Sequence, residues 1–138
     1  MTPSEMDEVF DRHCAAEAAN DIEAILDTLT DDAEHDVVGD PAGVVRGREA
    51  IAQRYKELFA ALAEDKMESL RRHHGEGFFV DESRYLGRVI GPFMGFPGGN
   101  TPVDFRILHV CEFRDGKMSR ESVWLDVAAI VQQLAPAA

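Results

Sequence analysis

Asp115-Gly116 constrains the chain more than any other feature, because it is the strongest short-range signal for a tight antiparallel hairpin and strand-like runs flank it, Val103–Phe113 before and Lys117–Leu125 after. A long hairpin is predicted. Val, Ile, Leu, Phe and Cys alternate with Asp, Arg, His and Glu in the first run, so one sheet face is buried and carries Phe105, Ile107, His109, Cys111 and Phe113. A histidine in such a row either points into a cavity or hydrogen-bonds within a core. The second arm brings Ser119, Glu121 and Val123 against that row if one bulged residue at the turn sets the register; without the bulge the set is Met118, Arg120 and Ser122. Register therefore decides whether His109 has a carboxylate neighbour.

From the start of the chain, Met6, Val9, Phe10, Cys14 and Glu17 fall on one helical face, with acidic residues crowding the first turn. Asn20 with Glu23 has the form of a capping box, and Ile22, Ile25, Leu26 and Leu29 repeat at helical spacing up to Thr30-Asp31-Asp32. The stretch from Ala33 to Gly47 is irregular, with room for a short strand. Arg48 to Leu62 is the best helix, its stripe formed by Ile51, Tyr55, Leu58, Phe59 and Leu62. Tyr55 and Phe59 are expected to face inward. Met67–His74 and Phe78–Ile90 then read as strands, and Asp126 is placed to cap a closing helix over VAAIVQQL. Helices first and strands later predict an α+β fold.

The 138 residues, 45% of them hydrophobic, suit one domain over 1–138 with one core of ordinary size. The formal net charge of −12 opposes phosphate backbones and anionic membranes, so neither nucleic acid nor a membrane is an expected partner. Cys14 and Cys111 lie far apart, without disulfide or zinc spacing, and no signal peptide or membrane span is evident, which predicts a cytoplasmic setting. His13, His35, His73, His74 and His109 form neither an HxH nor an HExxH pattern, and no glycine-rich phosphate loop follows a strand. No metal or organic cofactor is expected. In the loop GPFMGFPGGNTP, Phe93, Met94 and Phe96 either rim an apolar pocket or tuck onto the sheet as a connector.

Three segments, LTDDAEHDVVGDPAGVVRGREAIAQRYKELF, YLGRVIGPFMGFPGGNTPVDF and HVCEFRDGKMSRESVWLDVAAIVQQL, resemble the nuclear-transport-factor-2-like (NTF2-like) superfamily and, within it, the SnoaL-like proteins related to polyketide cyclases. The resemblance implies a cone in which three N-terminal helices pack on a curved, mostly antiparallel sheet, with a short C-terminal helix, an apolar cavity and a homodimer formed through the outer sheet face. His109 then falls where the cyclases have a polar pocket residue. The cyclases' catalytic aspartate falls on Val123, a pocket position here, and Asp126 matches only their helix-capping aspartate. Asp36, beside His35, stands loosely where related isomerases carry a general base.

Glu121 shares a strand face with Val123, so with His109 it forms a candidate acid/base pair, provided an apolar cavity raises its pKa toward neutrality. Its bland alternative is a structural ion pair with Arg120, Arg106 or His109. Glu82, on the preceding strand, is either a second wall carboxylate or a solvent-facing residue. The candidate catalytic residues are His109, Glu121 and Asp36, and the candidate substrate-binding residues Tyr55, Phe59, Glu82, Phe93, Phe96 and Val123. Trp124, of opposite parity, belongs outside, where a dimer would bury it. Asp104, Arg106 and Asp126 imitate an epoxide hydrolase's Asp-Arg-Asp set, but parity turns Asp104 and Arg106 away from His109. Two classes remain open: a cofactor-independent isomerase, dehydratase or cyclase acting on a small hydrophobic or polycyclic molecule, and a non-catalytic ligand-binding or dimerisation module of the same fold.

Overall fold

The computed structural model describes residues 1–136. Helix α1 (Pro3–Ala18) begins at a capping box in which the Thr2 hydroxyl accepts from the Glu5 amide and the Glu5 carboxylate accepts from the Thr2 amide. It ends at Asn20, whose left-handed φ of +53° lets the Asp21 amide reach back to the Ala16 carbonyl. Asn20 therefore closes α1, and the cap of α2 (Ile22–Asp27) is Asp21, which accepts from the Ala24 amide; the N-cap falls one residue after the expected Asn20, and with alanine at the third helical position the expected capping box does not form.

Strand β1 (Leu29–Val37) starts directly after α2, so Thr30-Asp31-Asp32 belongs to a strand and is not a helix stop. A short β2 (Val45–Arg46) pairs with it, and α3 (Arg48–Ala61) follows. Leu62, expected as the last apolar position of that helix, instead opens β3 (Leu62–Gly75). β4 (Phe78–Val89), β5 (Thr101–Arg114), β6 (Lys117–Leu125) and α4 (Val127–Leu134) complete the chain, with the Asp126 carboxylate accepting from Ala129 as the cap of α4.

The six strands form one curved sheet in the order β2-β1-β6-β5-β4-β3, antiparallel except where β1 runs parallel to β6. Asp115 (φ +55°) and Gly116 (φ +77°) make the tight turn between β5 and β6. Phe113 lies opposite Met118 and Glu112 opposite Arg120, leaving Ser119 bulged, its hydroxyl donating to the Glu112 carbonyl at 3.2 Å. The bulge is thus present. It brings Glu121 opposite Cys111 and Val123 opposite His109, as the bulged alternative requires, although Met118, not Ser119, is the third inward residue. Further bulges in β3 help bend the sheet around the helices.

Two apolar clusters fill the interior. One gathers Met6, Val9, Phe10, Ile25, Ile51, Tyr55 and Phe79 under α1, α2 and α3; the other gathers Tyr85, Val89, Val103, Phe105, Ile107, Val123 and Ile130 under α3 and α4. Among the described residues no helix is long and apolar enough to cross a membrane.

Candidate active site

Residues of both clusters line a cavity of about 100 Å³. Tyr55, Leu58, Phe59 and Leu62 form its helical side, Met67, Tyr85, Phe105, Ile107, Val123 and Leu125 its sheet side, and the polar groups Glu17, Asn20, His35, Glu64, His109 and Glu121 break this apolar lining. Alternation in β5 and the bulge in β6 are what aim His109, Glu121 and Val123 inward.

At one end, Glu121 is buried between two imidazoles, Oε1 lying 3.2 Å from His35 Nε2 and Oε2 3.3 Å from His13 Nε2. The Thr28 hydroxyl donates to the Ile25 carbonyl, so it accepts from His13 Nδ1–H at 2.8 Å, which fixes the protonated nitrogen on that side. His13 Nε2 faces the Tyr55 oxygen at 3.0 Å and Glu17 Oε1 at 2.8 Å, and the Tyr55 hydroxyl donates to Glu17 at 2.9 Å. Burial works against a charged His13 ring, but Glu121 and then Glu17 outweigh it and push its pKa up to about 10. Burial alone would raise Glu121; the charge of the facing His13, with the hydrogen bond from His35, holds it well below its usual range. This corrects the expected rise toward neutrality. Glu121 is a locked anion.

His109 lies opposite Val123, one inward pair along the β5–β6 ladder from Glu121. Asp81, directly opposite it in β4, places Oδ1 3.5 Å from His109 Nδ1 and is fully buried. Asp81 also accepts from the hydroxyls of Ser69 and Ser83 and from Arg72 Nε at 2.9 Å, while Arg72 reaches Asp7 at 2.7 Å and lies over the Phe79 and Phe10 rings. Burial would raise Asp81; the facing His109 ring and hydrogen bonds from Ser69, Ser83 and Arg72 hold it far below the ordinary carboxylate range. The arrangement can hold an imidazole in one orientation against a buried anion, the usual way of readying a general base.

The structure gathers His109, Glu121, Tyr55, Phe59 and Val123 around one cavity, but it does not join His109 to Glu121: each has other partners. The Tyr55 hydroxyl is engaged by Glu17 and His13. Asp36 turns the other way from His35, into a surface pair with Arg120 at 3.0 Å, because adjacent strand residues point to opposite faces. Glu82 likewise lies outside, paired with Arg106 at 3.2 Å. Phe93 and Phe96 do not line the cavity; their backbones bond to each other and Phe93 packs on the second apolar cluster, so the connector reading describes that loop. Asp104 pairs with Arg84 on the outer face, away from His109. His74 bonds to Asp7 at 2.7 Å, and His73 is exposed.

Four site residues escaped the sequence reading. Asp81 was legible from parity, since Phe79 and Tyr85 share its face, whereas Glu82 does not. His13 lies between Phe10 and Glu17 on the buried stripe of α1. Glu17 closes the same stripe, a carboxylate among apolar positions, whereas Glu64 carries no local signal of a cavity role.

A curved sheet folded around three helices and an interior cavity with acid–base side chains defines the NTF2/ketosteroid-isomerase-like class. The chain belongs to the SnoaL-like domain family, whose model matches residues 10–121. Among solved structures it is similar to a protein from Jannaschia sp. CCS1 assigned to the SnoaL-like polyketide cyclases, at 18% identity and TM-score 0.86, covering 99% of this chain and 98% of that one. It is also similar to TsrD from Streptomyces laurentii, at 17% identity and TM-score 0.83, covering 98% of each chain. A third, an LEH-like epoxide hydrolase from M. tuberculosis, shares 18% identity at TM-score 0.76, covering 95% and 90%. At these identities the likeness is one of fold. No curated protein matches the sequence.

Proposed function

We propose that the chain catalyses proton transfer on a small hydrophobic or polycyclic molecule, as an isomerase, dehydratase or cyclase working through its own side chains. The observation that carries this reading is His109, an imidazole on the wall of an apolar cavity with the Asp81 carboxylate behind its Nδ1 edge. His109 takes and returns the proton, and Asp81 positions it. When His109 takes the proton the substrate becomes an enolate, and Glu121, held as an anion by His13 and His35, turns the enolate oxygen away from its own stretch of the wall.

The test is hydrogen–deuterium exchange at carbon, followed by NMR in D₂O, over a panel of cyclic ketones and β,γ-unsaturated ketones. Wild type is expected to accelerate exchange of at least one, and His109→Gln to lower that rate about 10²–10⁴-fold. Undiminished exchange in both His109→Gln and Glu121→Gln would sink the assignment. A non-catalytic binding module of the same fold is the second reading, supported by Glu121 being tied by two imidazoles instead of free; it predicts saturable binding with no exchange on any panel member.

The chain is proposed to work as a homodimer through the outer sheet face. There Trp124 (42% exposed) and Leu108 (39%) form an apolar patch beside the Arg106–Glu82 pair. Sedimentation equilibrium should give twice the chain mass of 15.3 kDa for wild type and the single-chain mass for Trp124→Glu. A monomeric wild type refutes the dimer.

A further inference from the structure

We propose that the cavity takes a cation, a small apolar molecule bearing a protonated amine, with the ammonium beside Glu64 and Glu17 and the apolar body against Tyr85 and Phe105. This rests on the small-molecule reading of the cavity above but not on catalysis.

The charge inventory of the wall is one-sided. Its permanently ionisable residues are three carboxylates, Glu17, Glu64 and Glu121, and neither lysine nor arginine lines it. Within the protein these acids are unequally matched. Glu121 has His13 and His35, although its Oε2 receives no hydrogen bond and the residue is only 4% exposed. Glu17 shares His13 and has the Tyr55 hydroxyl. Glu64, half-buried at the bulge of β3, has no hydrogen bond or ion pair from any described residue.

A carboxylate withdrawn from water without a partner is costly, and the strain registers in its titration: burial, then the charge of Glu17, raises the Glu64 pKa to about 7. An ammonium placed between the two acids supplies the missing counter-charge. The rings complete the match. Tyr85 and Phe105 stack at 4.9 Å and Tyr55 lies 5.8 Å from Phe59, so a cation entering the cavity meets aromatic surface as well as carboxylate. The chain's net charge of −12 raises the local concentration of cations and lowers that of anions. Carboxylates, phosphates and their esters are disfavoured by the same groups.

The experiment is calorimetric titration at pH 7 with three probes of similar size: N,N-dimethylbenzylamine, N,N-dimethylbenzamide and phenylacetate. The amine is expected to bind about tenfold more tightly than the amide, a difference of about 1.4 kcal/mol, with phenylacetate not saturating. Glu64→Gln should shrink the preference to about threefold or less. That variant should fold well: the folded-state pKa lies above the ordinary 4.5, so ionising Glu64 costs stability as pH rises through 7, and the variant should melt above wild type at pH 8 and level with it at pH 4. Equal binding of amine and amide, saturable binding of phenylacetate, or an undiminished preference in Glu64→Gln overturns the proposal and leaves the small-molecule site standing. Failure of all three probes to bind overturns both. Amine preference without isotope exchange on any ketone overturns catalysis alone.

Discussion

Replacing His13 by leucine is expected to destabilise the fold by about 3–5 kcal/mol, measured by urea unfolding at pH 6, because it strips the main counter-charge from a carboxylate that cannot reach water. Glu121 lies inside the protein with only His35 left to face it, and Thr28, Tyr55 and Glu17 lose their common partner. The size of the loss should depend on pH. The folded-state pKa of His13, about 10, lies above its ordinary 6.5, so its stabilisation is complete below pH 6.5 and is lost as the pH rises through 10. The gap between wild type and variant should narrow across that window. In the double variant His13→Leu/Glu121→Leu most of the loss should return, since exchanging a buried ion pair for apolar side chains of similar size is often neutral or favourable. A double variant as unstable as the single one would show that packing, and not charge, explains the effect.

Asp81→Ala is expected to cost about 3 kcal/mol and to lower the melting temperature by roughly 10 °C. One fully buried carboxylate accepts from Ser69 and Arg72 of β3 and Ser83 of β4 and faces His109, so its removal takes the acceptor from donors on two strands at once. Asp81 is held far below its ordinary pKa. Its contribution is therefore complete above pH 4 and lost as the pH falls toward the folded-state value, and wild type and variant should converge in acid. The milder Ser83→Ala removes one donor and should cost about 1 kcal/mol. If the function proposed above holds, Asp81→Ala should also lower the exchange rate at temperatures where the variant stays folded, which mere loss of stability would not do.

Much of the scaffold was legible because local signals and burial agreed. Asp115-Gly116 fixed the hairpin, the alternation of Phe105, Ile107, His109, Cys111 and Phe113 gave the inner face of β5, and Asp126 capped α4 as expected. The start of β1 was not legible. Thr30-Asp31-Asp32 is poor strand sequence and lies in the register shift between Leu29 and Glu34, whose parallel partners in β6, Met118 and Arg120, no local signal connects to it. The site was legible only in part. His109, Glu121 and Val123 share a face that sequence period alone reveals, but Glu121 finds its partners on α1 and β1, and which elements converge there is a property of the sheet order. Asp36 and Glu82 show the opposite difficulty: each is adjacent to a residue that does face inward, His35 and Asp81, so an error of one position carries a carboxylate through the sheet.

The bulge at Ser119 has a bearing on the chemistry of the cavity. Its unpaired residue acts as a phase offset for everything from Arg120 to Leu125. Pairing Ser119 into the ladder, with no residue lost, would exchange the inward Glu121 and Val123 for Arg120 and Ser122 and turn an acidic wall basic without any substitution, whereas deleting Ser119 would close the bulge and leave Glu121 opposite Cys111. The charge of the wall is therefore set by whether one residue is paired or bulged, a choice of register and not of residue type.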